Sequence, residues 1–332
     1  MRLRQSMLYG AAVALTAIVA PTGSLAQSAA DRYPDHSIRL VVPFPAGGIN
    51  DVLARVWANK VSPHLGTIVI ENRSGGGSML GSAEVAHAPP DGYSLLLGNS
   101  TNQVLNPALM RSPPFDPAKD LLAVTILTTI PSVIAVHPSL PVHNLKELAE
   151  YARANPGKLS YGSAGVGTMT HLSGELFKKL AGGLDIVHVP YRGGAPGISD
   201  ITGGNVPVIS LSMAAQLLDL HRAGKIRVLC VNSQVRLDVA PDIPTAVESG
   251  FPGLVVQTFN GIFVPAGTPA AIVDRIASAT KKIMTDPELQ KVLKAAGAEI
   301  VTDSDSALAT RFVAQERERW APIIKASGME VR

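Results

Sequence analysis

Residues 38–51 read IRLVVPFPAGGIND, and this stretch decides the class of fold. Its first five residues form a mostly β-branched, apolar run that Pro43 ends, which is typical of a short buried strand. Helical spacing follows, shared by Val52, Leu53, Val56, Trp57 and Val61. A strand, a glycine loop and a helix in succession predict an α/β fold with a parallel sheet.

The same alternation continues along the chain. Further strands are predicted over residues 67–70, 93–97, 159–162, 186–189, 206–211 and 226–231. Helices are predicted over residues 79–88, 143–154, 168–180 and 306–326, with others after Thr268-Pro269 and Asp286-Pro287. Two longer apolar stretches, 121–136 and 254–264, are predicted to carry the chain to a second lobe and back.

The N-terminus has the plan of a secretory signal. Arg2 and Arg4 precede an apolar run over residues 7–20, and Ser24-Leu25-Ala26 supplies small residues before a cleavage point. We therefore expect residues 1–26 to be a signal peptide, cleaved near Ala26, and the mature protein to lie in the periplasm. The alternative is an uncleaved anchor, although the run is short for a membrane span.

Composition excludes several classes of protein. With 46% hydrophobic residues and a mean hydropathy of +0.21, the 332-residue chain is too apolar to be largely disordered. Cys230 is the only cysteine, so no internal disulfide is possible, and its apolar surroundings predict a small buried side chain. Without Arg2 and Arg4, 27 basic residues face 26 acidic ones, and their scatter argues against nucleic acid as a partner.

Three glycine- or hydroxyl-rich loops follow predicted strands, at residues 43–51, 98–102 and 162–168. In open parallel sheets, ligands bind outside the carboxyl ends of the strands, against helix N-termini. Glycine lets the backbone approach a ligand, while free amides and the helix dipole favour an anion. Ordinary tight turns remain the alternative for any one loop. Two such loops on facing lobes favour a cleft that holds a carboxylate without arginine.

The chain shows little sign of catalysis. No G-x-S-x-G elbow occurs around Ser163. His171 and Glu175 are four residues apart on a predicted helix, but two ligands are too few for a metal site, and neither a metal nor a cofactor is expected. Asp51, close to a helix start, is expected to cap it, to fix the glycine loop or to meet a cationic group of a ligand.

From residue 33 onward, the chain resembles the periplasmic solute receptors of tripartite tricarboxylate transporters, the Bug family. The ordered matching pieces are residues 38–48 with Asp51, 69–73, 90–93, 155–159, 165–168 with His171 and Leu172, 187–191, 222–225 and 265–269. The resemblance implies a two-lobed, type II-like periplasmic-binding-protein fold with parallel-rich sheets, flanking helices and two crossover strands. We place lobe 1 at residues 27–128 and 258–332, and lobe 2 at 129–257.

The resemblance also implies a small ligand, often a carboxylate, held between the lobes by the glycine loops and ordered water. The implied contacts are Ala46, Gly47, Gly48, Asp51, Ser163, Ala164, Gly165 and Thr168, with His171 nearby. The chain departs from the family pattern at Ser100-Thr101-Asn102-Gln103, at Leu211-Ser212-Met213 and at Thr258-Phe259-Asn260-Gly261. Ser100, Thr101 and Ser212 are therefore predicted to line the pocket and to leave the identity of the ligand open.

The sequence thus predicts a monomeric binding protein that captures a small organic anion and passes it to membrane transporter subunits. Two alternatives remain. One is an exported α/β hydrolase that uses Ser163 and His171, and the other is a ligand-loaded partner of a sensor protein.

Overall fold

The computed structural model describes residues 32–295 and 297–327, and the predicted signal peptide with its cleavage point lies outside them. Within the described residues, ten strands form one hydrogen-bonded sheet. They are β1 Ile38–Val42, β2 Ile68–Asn72, β3 Ser94–Asn99, β4 Leu121–Val136, β5 Leu159–Ser163, β6 Ile186–Pro190, β7 Val208–Ser212, β8 Arg227–Val231, β9 Gln257–Pro265 and β10 Glu299–Ile300. The main path of the sheet is β2-β1-β3-β9-β4-β7-β5-β6, and β8 and β10 also pair with β4.

The long strand β4 divides this sheet into two halves. Its residues 121–131 pair with β9, and its residues 132–136 pair with β7. On the outer side of each half the strands are parallel, β1 with β2 and β3, and β5 with β6 and β7. Each ladder of β4, and the β3–β9 ladder, is antiparallel, so the sheet is more mixed than the predicted parallel-rich arrangement.

The apolar run of β4 reflects burial on both faces of the sheet. Val133 and Ala135 pack into one layer of the core, whereas Ile134 and Val136 pack into the other. Successive side chains of a strand point to opposite faces, so a strand covered on both sides needs apolar residues throughout.

Helices cover these faces. They are α1 Ile49–Leu65, α2 Met79–Ala86, α3 Asn106–Leu109, α4 Leu145–Ala154, α5 Met169–Leu180, α6 Gly194–Thr202, α7 Ala215–Arg222, α8 Ala270–Met284, α9 Pro287–Ala295 and α10 Ser306–Ser327. In α1 the buried stripe contains Leu53, Trp57 and Val61 as predicted, but Val52 is 45% exposed. Val52 precedes Leu53 by one position, about 100° around the helix, and so leaves the buried stripe.

One predicted loop is not open. Residues 98–102 were expected to form a glycine loop, but β3 continues to Asn99 and a π-helical turn, Thr101–Leu105, leads into α3. The Asn99 carboxamide oxygen accepts hydrogen bonds from the amides of Thr101 and Asn102, at 3.0 and 3.4 Å. The Asn102 side-chain oxygen in turn accepts a hydrogen bond from the Asn99 amide at 3.0 Å. These side-chain bonds start the helical turn directly at the strand end.

Across residues 32–295 and 297–327, no helix is both long and apolar enough to cross a bilayer.

Candidate functional site

The carboxyl ends of the parallel strands in the two halves of the sheet face each other. The strands β1 and β3 run in the same direction as β4, because each of β3 and β4 is antiparallel to β9. The strands β5 and β7 run in the opposite direction, since β7 is antiparallel to β4. The loops that follow β1 and β3 therefore approach those that follow β5 and β7. The two predicted glycine loops therefore follow strand ends that point toward each other.

The register of β4 sets how far apart these strand ends lie along the sheet. Asn99, at the end of β3, is level with Thr128 through Asn260. Ser212, at the end of β7, is level with Ser132. Four residues of strand separate the two edges, which corresponds to roughly 13 Å at about 3.3 Å per residue.

The first glycine loop, residues 43–48, is organised by Asp51. The Asp51 carboxylate accepts hydrogen bonds from the Gly47 amide at 2.9 Å, the Asn72 side chain at 3.1 Å and the Arg55 guanidinium at 3.0 Å. Asn72 also donates to the Phe44 carbonyl at 3.1 Å. Of the roles predicted for Asp51, the structure shows the fixing of the glycine loop.

These donors also control the charge of Asp51. Burial alone would raise the pKa of this carboxyl group, since its residue is only 3% exposed. The hydrogen bonds from Arg55, Gly47 and Asn72 outweigh burial and hold the pKa below its usual value. Asp51 is therefore ionised at neutral pH, and its charge is satisfied inside the loop.

The same loop leaves the start of α1 uncapped by any side chain. Gly48 is the N-cap residue and has no side chain to offer the first-turn amides. Gly47 takes a φ of +79°, a left-handed conformation that favours glycine. The amides at this end of a 17-residue helix are thus presented to the cleft side, where the helix dipole favours an anion.

The second glycine loop, residues 163–168, satisfies most of its own donors. The amide of Ala164 donates to the Thr170 hydroxyl at 3.0 Å, and that of Gly165 donates to the Ser163 hydroxyl at 3.1 Å. Thr168 caps α5 by accepting from the His171 amide at 3.3 Å, and its hydroxyl donates to the Gly165 carbonyl at 2.8 Å. This loop is closed by side chains, whereas the start of α1 is not.

Gly165 holds the second loop against a neighbouring segment. Its φ is +133°, and a Cβ atom added there would lie 3.0 Å from the Tyr191 carbonyl oxygen. That contact is tighter than nearly all real Cβ contacts and involves backbone, which moves little. Both the conformation and the packing therefore require glycine here.

A pair of imidazoles lies beneath the second loop. His171, predicted as a hydrogen-bonding residue near the ligand, accepts from the Gly167 amide through Nδ1 at 3.3 Å. Its ring stacks on that of His188, with centroids 3.9 Å apart and planes 9° apart. His188 Nε2 lies 2.7 Å from the Ser163 hydroxyl. The place of His188 beside this loop was not predicted from the sequence, because it depends on the pairing of β5 with β6.

The remaining predicted residues, Ser100, Thr101 and Ser212, lie at the strand ends that border the cleft. Ser100 is fully buried, and its hydroxyl accepts from the Phe259 amide at 2.9 Å. Thr101 is 3% exposed within the π-helical turn. Ser212 ends β7 and is half-buried. The Ser100 hydroxyl therefore links the end of β3 to β9 by a hydrogen bond, while Ser212 keeps partial access to solvent.

The side chains do not assemble the machinery of the hydrolase alternative. Ser163 pairs with His188 and not with the predicted His171, and its hydroxyl belongs to a residue with no exposed surface. Glu175 is bound by the Tyr161 hydroxyl at 2.7 Å and by Lys178 at 2.9 Å. Within the described ranges, no group of three or more His, Cys, Asp or Glu side chains could hold a metal ion.

Known proteins are similar to this chain both in sequence and in architecture. The TctC family, described as tripartite tricarboxylate transporter family receptor, matches residues 53–329. The protein BugT of Bordetella pertussis is 32% identical over 318 residues, which cover 95% of this chain and 96% of BugT.

Solved structures agree closely. The periplasmic binding protein BugD has a TM-score of 0.83 and 34% identity, covering 90% of this chain and 99% of BugD. The Rhodopseudomonas palustris protein Rpa4515, solved with adipate, has a TM-score of 0.84 and 33% identity over 90% of this chain and 99% of its own. MatC of the same organism, solved with malate, has a TM-score of 0.82 and 29% identity over 88% of this chain and 100% of its own. The predicted periplasmic-binding-protein fold is confirmed, and the chain belongs to the TctC family of tripartite tricarboxylate transporter receptors.

Proposed function

We propose that this protein is a periplasmic receptor that captures a small organic anion with one or more carboxylate groups in the cleft between the two halves of its sheet. The ligand passes to the membrane subunits of a tripartite tricarboxylate-type transporter, and no chemical change occurs. The observation that carries the proposal is the pair of facing strand edges, separated by four residues of β4 and bordered by the two glycine loops.

The chemistry of the loops supports an anionic ligand. The start of α1 presents helix amides without a capping side chain, and Asp51 keeps Gly47 in the conformation that allows this. A carboxylate there receives several amide hydrogen bonds and the favourable end of the dipole. The adipate and malate complexes of related proteins support a dicarboxylate of similar size.

The same reasoning supports the predicted division of the chain. In this proposal lobe 1 comprises residues 27–128 and 258–332, and lobe 2 comprises residues 129–257. Both crossings lie where β4 and the segment before β9 exchange partners, near Ser132 and Val256, which are joined by a 2.9 Å hydrogen bond. Closure about these crossings would bring Ala46, Gly48, Ser163, Ala164, Gly165, Thr168 and Ser212 around the ligand. A monomer suffices, because both sides of the cleft come from one chain.

Calorimetric titration of the mature protein tests the ligand class. The panel contains malate, adipate, citrate and an aromatic carboxylate, with an uncharged diol of similar length as a control. We expect at least one carboxylate to bind and the diol not to bind. Tight binding of the diol alone, or no heat from any member of the panel, would contradict the proposal.

A pair of glycine variants tests the location of the ligand. Gly165→Ala should weaken carboxylate binding by about tenfold or more, because its Cβ displaces the second loop from the Tyr191 carbonyl. Gly224→Ala is the matched control, since Gly224 also has a positive φ, +67°, but lies in the turn after α7 with open space around its Cβ position. Equal affinities in the two variants, with both folded by circular dichroism, would place the ligand elsewhere.

A further inference from the structure

The stacked rings of His171 and His188 support the second glycine loop. The capture of an anion does not by itself explain why this support consists of two imidazoles. We propose that these two imidazoles are positioning residues that hold the second glycine loop in its binding geometry only while both are uncharged, so that the receptor loses its ligand in acid. This inference deepens the proposed function and rests on it.

Hydrogen-bond donors around the pair define the protonation state. The Gly167 amide can only donate, so the His171 Nδ1 atom that it meets at 3.3 Å must carry a lone pair. The Gly165 amide donates to the Ser163 hydroxyl oxygen at 3.1 Å, and the hydroxyl proton can go to His188 Nε2 at 2.7 Å or to the Gly165 carbonyl at 3.3 Å. We assign the proton to the contact with His188 Nε2, the nearer acceptor, so that in this proposal each ring accepts one hydrogen bond from the loop and is neutral.

Protonation of either ring breaks this arrangement. On His171, a proton at Nδ1 would point at the Gly167 N–H and replace attraction by repulsion. On His188, a proton at Nε2 would force the Ser163 hydroxyl to turn toward the Gly165 carbonyl, 3.3 Å away. Because the ring centroids are only 3.9 Å apart, a charge on one ring also opposes a charge on the other.

The surroundings decide the pH range. Burial is the largest effect on both rings and lowers the pKa of His171 below its usual 6.5 and that of His188 to about 4. Three other titratable groups face the pair: Glu175 and Lys178 on α5, and Tyr161 on β5, whose ring stacks on His188 at 4.9 Å. Ionised Glu175 favours imidazolium and Lys178 disfavours it, but burial prevails.

The sign of the pH effect follows directly. A base whose pKa is lowered in the folded protein is neutral at pH 7 and gains its proton only below its ordinary pKa. The loop is therefore intact at neutral pH and is released as the pH falls below 6.5 through the lowered pKa values. By linkage, a bound ligand should lower the histidine pKa values further.

Two variants separate the hydrogen bonds from the titration. In His171→Asn the carboxamide oxygen can occupy the place of Nδ1, and in His188→Gln it can occupy the place of Nε2. The double variant keeps both acceptors but cannot take a proton. His188→Leu, which removes an acceptor, serves as the opposite control and should bind about tenfold or more weakly even at pH 7.5, since a buried polar partner is left unpaired.

The first experiment is calorimetry with malate and adipate at a series of pH values from 7.5 to 4.0. Relative to the double variant, we expect the natural protein to lose affinity increasingly below pH 6.5, by about twofold or more at pH 4.0, where a ring with a pKa of about 4 is half protonated. The ligand's own titration is the same for both proteins, so the difference isolates the histidines. Identical pH profiles would overturn the proposal.

The second experiment needs no ligand and therefore separates a failure of this inference from a failure of the proposed function. The amide resonances of Gly165 and Gly167 are followed by nuclear magnetic resonance in the full-length mature protein between pH 7.5 and 3.5. Both should move in the natural protein with a midpoint below 6.5, and neither should move in the double variant. Gly224 is the internal reference. Histidine ring signals that titrate while both amides stay fixed would refute the coupling.

Discussion

Replacing Asp51 by alanine is the most direct perturbation of the first glycine loop. The change removes an ionised, buried carboxylate that accepts from the Gly47 amide, the Asn72 side chain and the Arg55 guanidinium. Asn72 keeps its bond to the Phe44 carbonyl, so the strand end stays in place. The loop itself loses the only side chain that holds Gly47 among these contacts.

The magnitude follows from the three bonds taken separately. Hydrogen bonds to a charged group contribute about 1.5–3 kcal/mol each, but water can replace the carboxylate at the exposed Gly47 amide. The ion pair with Arg55, which is 56% exposed, adds little because solvent screens it. We therefore expect a loss of about 2–3 kcal/mol in the free energy of unfolding. Ligand binding must then also order Gly47, at a cost of about 1–2 kcal/mol, which weakens affinity roughly five- to thirtyfold.

Urea unfolding and calorimetric titration measure the two effects. Arg55→Ala is the matched control, because it removes only the exposed partner and should destabilise the protein much less than Asp51→Ala. The difference between the natural protein and Asp51→Ala should be present above pH 3.8 and should disappear as the pH falls through the lowered pKa of the carboxyl group. An unfolding free energy within about 0.5 kcal/mol of the natural value, with unchanged affinity, would refute this account of the loop.

Two further changes have clear expected outcomes. Gly47→Ala should destabilise the protein by about 1–2 kcal/mol in urea unfolding, because the φ of Gly47 is +79°. Gly48→Ala, where φ is −80°, should change the unfolding free energy by less than about 0.5 kcal/mol. Equal effects of the two changes would contradict the conformational argument. The Cys230 thiol is fully buried and burial raises its pKa to about 12, so a chromogenic disulfide reagent at pH 8 should react about a hundredfold or more slowly with the native protein than with the urea-unfolded chain; rapid native reaction would contradict its burial.

Residues that end strands or cap helices explain why much of the fold was predictable. The strand β1 was predicted to the residue, because Pro43 ends a mostly β-branched run in which all residues but Arg39 are buried. The start of α5 was predicted within one residue, because Thr168 is an N-cap residue by type and by contact. The strand β4 has the same bounds as the apolar stretch 121–136, which was predicted to be an extended connection to a second lobe.

Features that depend on register or on side-chain bonds were not predictable in the same way. The π-helical turn after β3 is held by hydrogen bonds to the Asn99 side chain. Asparagine occurs both in open loops and in helix caps, so the residue type did not distinguish the two. His188 joins the second loop only because it lies opposite Tyr161 in the β5–β6 ladder. The periodicity of one segment does not show which other segment it pairs with. The contact between the two imidazole rings could therefore be found only in the structure.

The two loops both contain glycines but differ in what they can offer a ligand. In the first, a carboxylate fixes Gly47 from behind while glycine at the N-cap leaves the start of α1 without a side-chain partner. In the second, hydroxyls and an imidazole already occupy the amides of Ala164, Gly165 and Gly167. We infer that the first loop supplies most of the charge recognition, while the second supplies shape and the means of release. Loss of the second loop's imidazoles should then alter the pH dependence of binding more than its preference for an anion.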